Sequence, residues 1–155
     1  MASLIKVLSG IEDQMKKMLD RSNRMQAYLD RIVYRQYQNA QRERWITENA
    51  SEGTPWAALN KRYKEYKKKA FASYPGGGSK MLIATGELFK SVIGPGGSHR
   101  KTATDKQLAI YWTTPYAVAV GDIRPFNVFS QKTMNGIYSG LAKFIIEGEL
   151  RSLGK

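Results

Sequence analysis

SLIKVLSGIEDQMKKMLDRSNRMQAYLDRIVYRQYQNAQRERWITE, residues 3–48, runs without a proline and with one glycine, Gly10. Its apolar residues keep time. Leu4, Ile11, Met18, Met25 and Ile32 recur every seven residues, and Leu8, Met15 and Leu29 sit four after three of them. This is a heptad seam, broken at Ser22 and Gln36. Glu12, Asp13, Lys16, Lys17, Asp20, Arg21 and Arg24 fill the positions between, so the opposite face is wet. The pattern predicts one or two long amphipathic helices over 1–48. Such a seam packs either on its own domain or on a neighbouring subunit, and four to five heptads is more stripe than a small domain uses for itself.

The 155 residues fit one domain, 1–155, large enough to bury a core without staples. The composition, 42% hydrophobic and 25% charged, is that of a soluble globular protein. No apolar run approaches the roughly 20 residues that span a bilayer, so no membrane role is expected. The opening MASLIKVLSG is too soon interrupted by charge for a secretory signal. There is no cysteine, hence no disulfide and no thiolate ligand or nucleophile, and synthesis in the cytoplasm is expected. The net charge of +12 favours polyanions, whether nucleic acid, anionic lipid or an acidic protein face.

Beyond the seam, Gly53 ends the helical pattern. Thr54 before Pro55 reads as an N-cap with proline at the first helical position, which predicts a basic helix over 54–70. Trp56 and Leu59 would point inward together. In KRYKEYKKK, 61–69, six of nine residues are basic and one is acidic. Lys61, Arg62, Lys64, Lys67 and Lys68, interleaved with Tyr63 and Tyr66, could meet phosphate with aromatic support, or form a solvated face whose tyrosines pack on the core. YPGGGSK, 74–80, reads as a flexible loop. It is not a nucleotide-binding loop, because the lysine precedes Met81 instead of Ser or Thr.

The region 81–129 reads as a small sheet with an extended hairpin. Thr85 caps a short helix through Gly86 to Lys90, with Leu88, Phe89, Val92 and Ile93 as its apolar side. Residues 95–106 are polar and basic and form a long hairpin tip carrying Arg100, Lys101 and Lys106. Residues 107–112 and 116–120 are rich in aromatic and β-branched residues and read as strands, with a turn at Gly121-Asp122. Arg124-Pro125-Phe126 is extended. A final helix covers 130–151, with Ile137, Leu141, Phe144 and Ile145 inward. The fold class is therefore α+β.

Chemistry is scarce. His99 is the one histidine, placed in a basic loop without an evident partner to orient it. Asp105 and Asp122 sit in turns, where Asp is favoured for backbone reasons. No metal-ligand spacing and no nucleophile motif occurs, so no catalytic residue, metal or cofactor is expected.

Four short motifs, in order, resemble the virion-morphogenesis or tail-completion family of Mu-like contractile-tailed phages. They are Glu52, Gly53, Trp56 and Leu59 before the lysine helix; Leu82, Thr85, Gly86, Leu88 and Ser91; Tyr116, Ala117 and Gly121; and Arg124, Pro125 and Phe126. The resemblance covers roughly 40–130. It departs where relatives carry a histidine after the Tyr-Ala pair, since position 120 is Val, and in a shortened segment before Arg124. The resemblance implies structural roles: Trp56 anchors the middle helix, Gly86 allows an unusual dihedral, and Arg124 staples a carboxylate or carbonyl beside the stiff Pro125. It also implies a non-enzymatic part of a virion neck. Such a part forms a homo-oligomer, a hexameric ring, between a head-side connector and tail-tube or sheath proteins, with non-specific contact to genome DNA in the lumen. The seam would pack on a neighbour and the hairpin tip would reach to another ring. The alternative is a basic nucleic-acid-binding protein without enzymatic activity.

Overall fold

A computed structural model describes residues 2–94 and 98–148. The fold is α+β, helices at both ends flanking a two-stranded antiparallel sheet. Helix α1 (Ala2–Ser22) stops where the seam first breaks. After a three-residue break the chain is helical again as α2 (Gln26–Tyr28), a π segment (Leu29–Val33) and α3 (Tyr34–Ile46). The Tyr34 amide bonds the Leu29 carbonyl five residues back, the signature of the wide turn. The second break of the seam follows from it. Met25, Tyr28 and Ile32 are buried at helical spacing, and the next buried residue is Tyr37, not Gln36. Gln41, Arg44 and Trp45 continue that buried line.

Two cores result. Met25, Tyr28 and Ile32 pack with Phe144 of the C-terminal helix α7 (Gln131–Glu147), and Tyr28 stacks on Phe144 at 4.7 Å. The second core gathers Trp45, Trp56, Met81, Leu88, Val92, Ala117 and Phe126. Trp45 is fully buried and meets Trp56, Phe89 and Phe126 within 6.0 Å between ring centres. Helix α7 begins as a capped helix should: the Ser130 hydroxyl accepts from the Thr133 amide. It ends at Gly148, in the left-handed region at φ 76°.

Several expectations need correction. Residues 55–60 are not helical: a 3-10 turn (Ala50–Glu52) is followed by extended chain, and the basic helix α4 (Lys61–Ala70) starts one residue after its true cap, Asn60, whose Oδ1 accepts from the Tyr63 amide at 2.8 Å. Trp56 needs the extended chain, since its backbone amide bonds the Glu48 carbonyl and its indole N–H the Pro125 carbonyl. Residues 116–120 are not a strand. They open helix α6 (Ala117–Ile123), so Gly121 and Asp122 lie inside a helix. At Thr114-Pro115 the Thr114 carbonyl accepts from the Ala117 amide at 3.0 Å and the turn feeds α6, whose cap position is Tyr116 and not Thr114. Helix α5 (Glu87–Ile93) starts from Gly86 at φ 86°, with the Thr85 hydroxyl accepting from the Glu87 amide at 3.4 Å.

The sheet also lies earlier than expected. Strands β1 (His99–Ala103) and β2 (Leu108–Trp112) pair with His99 opposite Trp112 and Ala103 opposite Leu108. Within the segment read as a long tip, His99–Ala103 is strand, and the turn is only Thr104–Gln107. Positions 95–97 of that tip, residues 149–151 of the expected last helix, and the side chains of Leu4 and Leu8 lie outside the described residues.

Candidate interaction surfaces

Several residues of the four motifs meet in one place. Trp56, Leu88, Ala117 and Phe126 are buried in the second core and Leu59 packs on it. Arg124 donates from its guanidinium to the Ala57 carbonyl at 3.0 Å and from Nε to the Met81 sulfur at 3.2 Å. With the Trp56 indole on the Pro125 carbonyl at 3.1 Å, this closes the 124–126 strap over the 56–59 segment. Arg124 is thus a carbonyl staple, as expected, and Pro125 is exposed on the strap. Thr85, Gly86 and Tyr116 line a shallow cleft beside Leu88, and Gly121 packs against the Phe126 ring.

Under the strap sits a charge that sequence reading did not single out. Arg44 is buried, donates to the Phe126 and Val128 carbonyls, lies 5.4 Å from the Phe129 ring centre, and faces Glu52 at 3.4 Å. Glu52 in turn accepts from the Ser130 amide at 2.7 Å and the Thr133 hydroxyl at 3.0 Å, placing a carboxylate at the start of α7. Burial opposes ionisation of Glu52, but the Ser130 and Thr133 hydrogen bonds and the charge of Arg44 outweigh it and hold its pKa low. Burial lowers the pKa of Arg44 and Glu52 opposes that shift.

The expected polyanion residues divide. Lys67 does not face a partner. It is buried, and its ammonium donates to the carbonyls of Gly77, Lys80 and Ile83, three acceptors for three N–H bonds. The 74–80 segment is therefore no loose loop but a wrap around this ammonium, and burial lowers its pKa. Lys101 is also occupied, paired with Asp30 at 2.6 Å and poised 4.1 Å above the Tyr34 ring. Asp105 accepts from the Gln26 amide at 2.9 Å, so the hairpin turn lies back on its own chain instead of reaching away from it. Lys106 and Arg100 are exposed on this hairpin, and Arg100 donates to the His99 carbonyl. On α4, by contrast, Lys61, Arg62, Lys64, Lys68 and also Lys69 are exposed. Tyr63 and Tyr66 are 42% and 58% exposed, so they do not pack on the core as the alternative reading required.

His99 is not a plain loop residue either. Its Nδ1 lies 2.7 Å from the Ser91 carbonyl and its Nε2 2.9 Å from the Tyr34 hydroxyl, so both ring nitrogens are engaged. Thr114 and Ser91 bond each other alongside it. The arrangement ties β1 to α3 and α5 and leaves no ring nitrogen aimed at a cleft. Among the described residues no group of acids and histidines could hold a metal ion, and no helix is long and apolar enough to cross a membrane.

From Ile11 to Leu19 the apolar face of α1 is largely uncovered by the chain's own residues. Arg21 docks its C-terminal end by donating to the Ile145 and Ile146 carbonyls at 2.9 and 2.7 Å, capping α7. Ahead of it Ile11, Met15 and Leu19 are 52%, 64% and 62% exposed on one face, with Met18 half-buried beside them. Comparison with protein-family models, curated proteins and solved structures found no match.

Proposed function

We propose that this chain is a non-enzymatic structural protein of a tailed-phage virion, which closes into a ring at the neck and completes the tail for joining to the head. The observation that carries the reading is the row Ile11, Met15 and Leu19, an apolar helix face that its own chain leaves in water. A monomer seldom maintains such a row, and a neighbouring subunit is the natural cover. Applied head to tail around an axis, one such contact per copy closes a ring, for which the resemblance implies six copies. The clustering of the resemblance motifs into one strapped core supports the same reading, because it gives each of them a structural task. The partners in this scheme are the head-side connector on one side and the tail tube or sheath on the other. No cofactor enters it.

Light scattering on a sizing column, with negative-stain images of the same peak, tests the proposal. A closed ring of fixed stoichiometry is expected, which Ile11→Lys/Met15→Lys/Leu19→Lys converts to monomers of unchanged thermal stability. A chain that stays monomeric at every soluble concentration and also fails to co-sediment with tail tubes overturns it. The second reading, a free nucleic-acid-binding protein, draws on the exposed cations of α4. It requires a monomer that binds nucleic acid tightly without assembling.

A further inference from the structure

We infer that the outer face of α4 is a contact surface for the phosphate backbone of duplex DNA. This rests on the ring proposed above, whose lumen the genome DNA would cross, and the native mass of the same samples separates its failure from that of the ring.

The argument starts from helix geometry. At 100° per residue, Lys61, Lys64 and Lys68 fall in a row along one side of α4, Lys69 and Arg62 continue around it, and Tyr63 and Tyr66 form the neighbouring stripe. Every residue of the helix except Lys67 is exposed. The one acid on it, Glu65, pairs with Lys68 at 3.1 Å, with both side chains more than half exposed, a contact weak enough to exchange for a phosphate. The row from Lys61 to Lys68 spans about 10 Å, enough for two or three successive phosphates of one strand.

The face is also held rigid. Lys67 points inward and its ammonium is fixed by the Gly77, Lys80 and Ile83 carbonyls, so α4 is moored from beneath through the one lysine that the surface does not need. A pre-set row loses less on binding than a floppy basic tail.

Duplex is favoured over single strand by the rings. Tyr63 and Tyr66 are tilted by 34° at 6.1 Å, and Tyr66 meets Phe71 edge-on at 6.2 Å. No run of parallel faces is offered to successive bases, as a stacking platform for single strands requires. The tyrosines instead bring hydroxyl donors beside the lysines.

The test is fluorescence anisotropy of the full chain with a labelled 30-base-pair duplex of arbitrary sequence and the matching single strand, across a salt series. Three to five phosphates imply a log–log slope of about −2.7 to −4.5, so affinity should fall roughly 40- to 500-fold between 50 and 200 mM salt. Lys61→Gln/Lys64→Gln/Lys68→Gln should reduce the slope by about 2.7, with the circular dichroism and native mass of the parent. Lys101→Gln, a lysine already paired, should leave the slope unchanged. No duplex binding at 50 mM salt, a triple variant with the parent's slope, or tighter binding of the single strand would each overturn the inference.

Discussion

Arg44 and Glu52 meet 3.4 Å apart beneath the first turn of α7, and each is also hydrogen-bonded to the chain that follows Phe126. A salt bridge so enclosed does little by itself, because desolvation of both ions consumes most of the attraction. What it does is fix where α7 begins. Removing either partner strands the other charge and frees the 126–130 segment together.

Glu52→Gln is therefore expected to cost about 3 kcal/mol at neutral pH, as for other buried pairs that lose one partner. The pH dependence has a definite sign. Glu52 titrates below its ordinary value of 4.5 in the folded chain, so its contribution is complete above that value and is lost as pH falls through the folded pKa. The gap in melting temperature between parent and variant should narrow as pH falls below 4.5. A gap that is the same on both sides of that value would show that the fold does not favour the ionised carboxylate.

Lys67→Met should destabilise by about 3 kcal/mol although it removes a residue from a basic run. It leaves the carbonyls of Gly77, Lys80 and Ile83 without their donor. Urea unfolding midpoints would show it, with Lys64→Met as the exposed neighbour that changes little. Gly77→Ala belongs to the same structure: an added methyl would press on the Ala84 carbonyl and lie 2.6 Å from the Phe71 carbonyl, and a loss of at least 2 kcal/mol is expected.

Trp56→Phe keeps an aromatic ring in the core, deletes the bond to the Pro125 carbonyl and leaves a small void beside Trp45. About 2 kcal/mol should be lost, with oligomeric state and DNA affinity untouched. A variant that stays fully stable but no longer assembles would move the 124–126 strap from the core to the interface.

Arg21→Ala should loosen the junction of α1 and α7 without unfolding either core. Hydrogen exchange is expected to accelerate at the last turn of α7 and along α1, and to stay unchanged at Trp45 and Val92. Uniform acceleration across the chain would mean that α1 is integral to the fold.

Much of this architecture was legible in the residues, for local reasons. The first and last helices carry a helical period over many residues, although the last was read through Gly148, where the left-handed cap ends it. The failures were contests between local signals. Alternating Ala and Val at 117–120 looks like a strand, but the turn at Pro115 starts a helix there. At Thr54-Pro55 tertiary demand for an extended Trp56 wins over the cap signal. Lys67 was indistinguishable from its neighbours in a run of lysines. The signal that could have marked it is the glycine cluster 76–78 shortly after, since adjacent glycines often mean that backbone must come close to something. His99 and Asp105 find their partners 65 and 79 residues away, which no local pattern encodes.

The wide turn at 29–33 has a consequence for how one rod serves two cores. An ordinary helix would carry the Met25–Tyr28–Ile32 stripe onward to Gln36 and hold a single azimuth. The additional residue in the turn offsets everything downstream by about 100° from an unbroken helix, so that Tyr37, Gln41, Arg44 and Trp45 continue the buried line that Gln36 would otherwise have joined. The segment works as a phase shifter. Deleting one residue within it should leave a regular helix with Trp45 still aligned on Trp56, whereas winding all of its residues into a regular helix would turn Trp45 about 100° away, so the irregular turn is what lets both ends of the helix be buried at once.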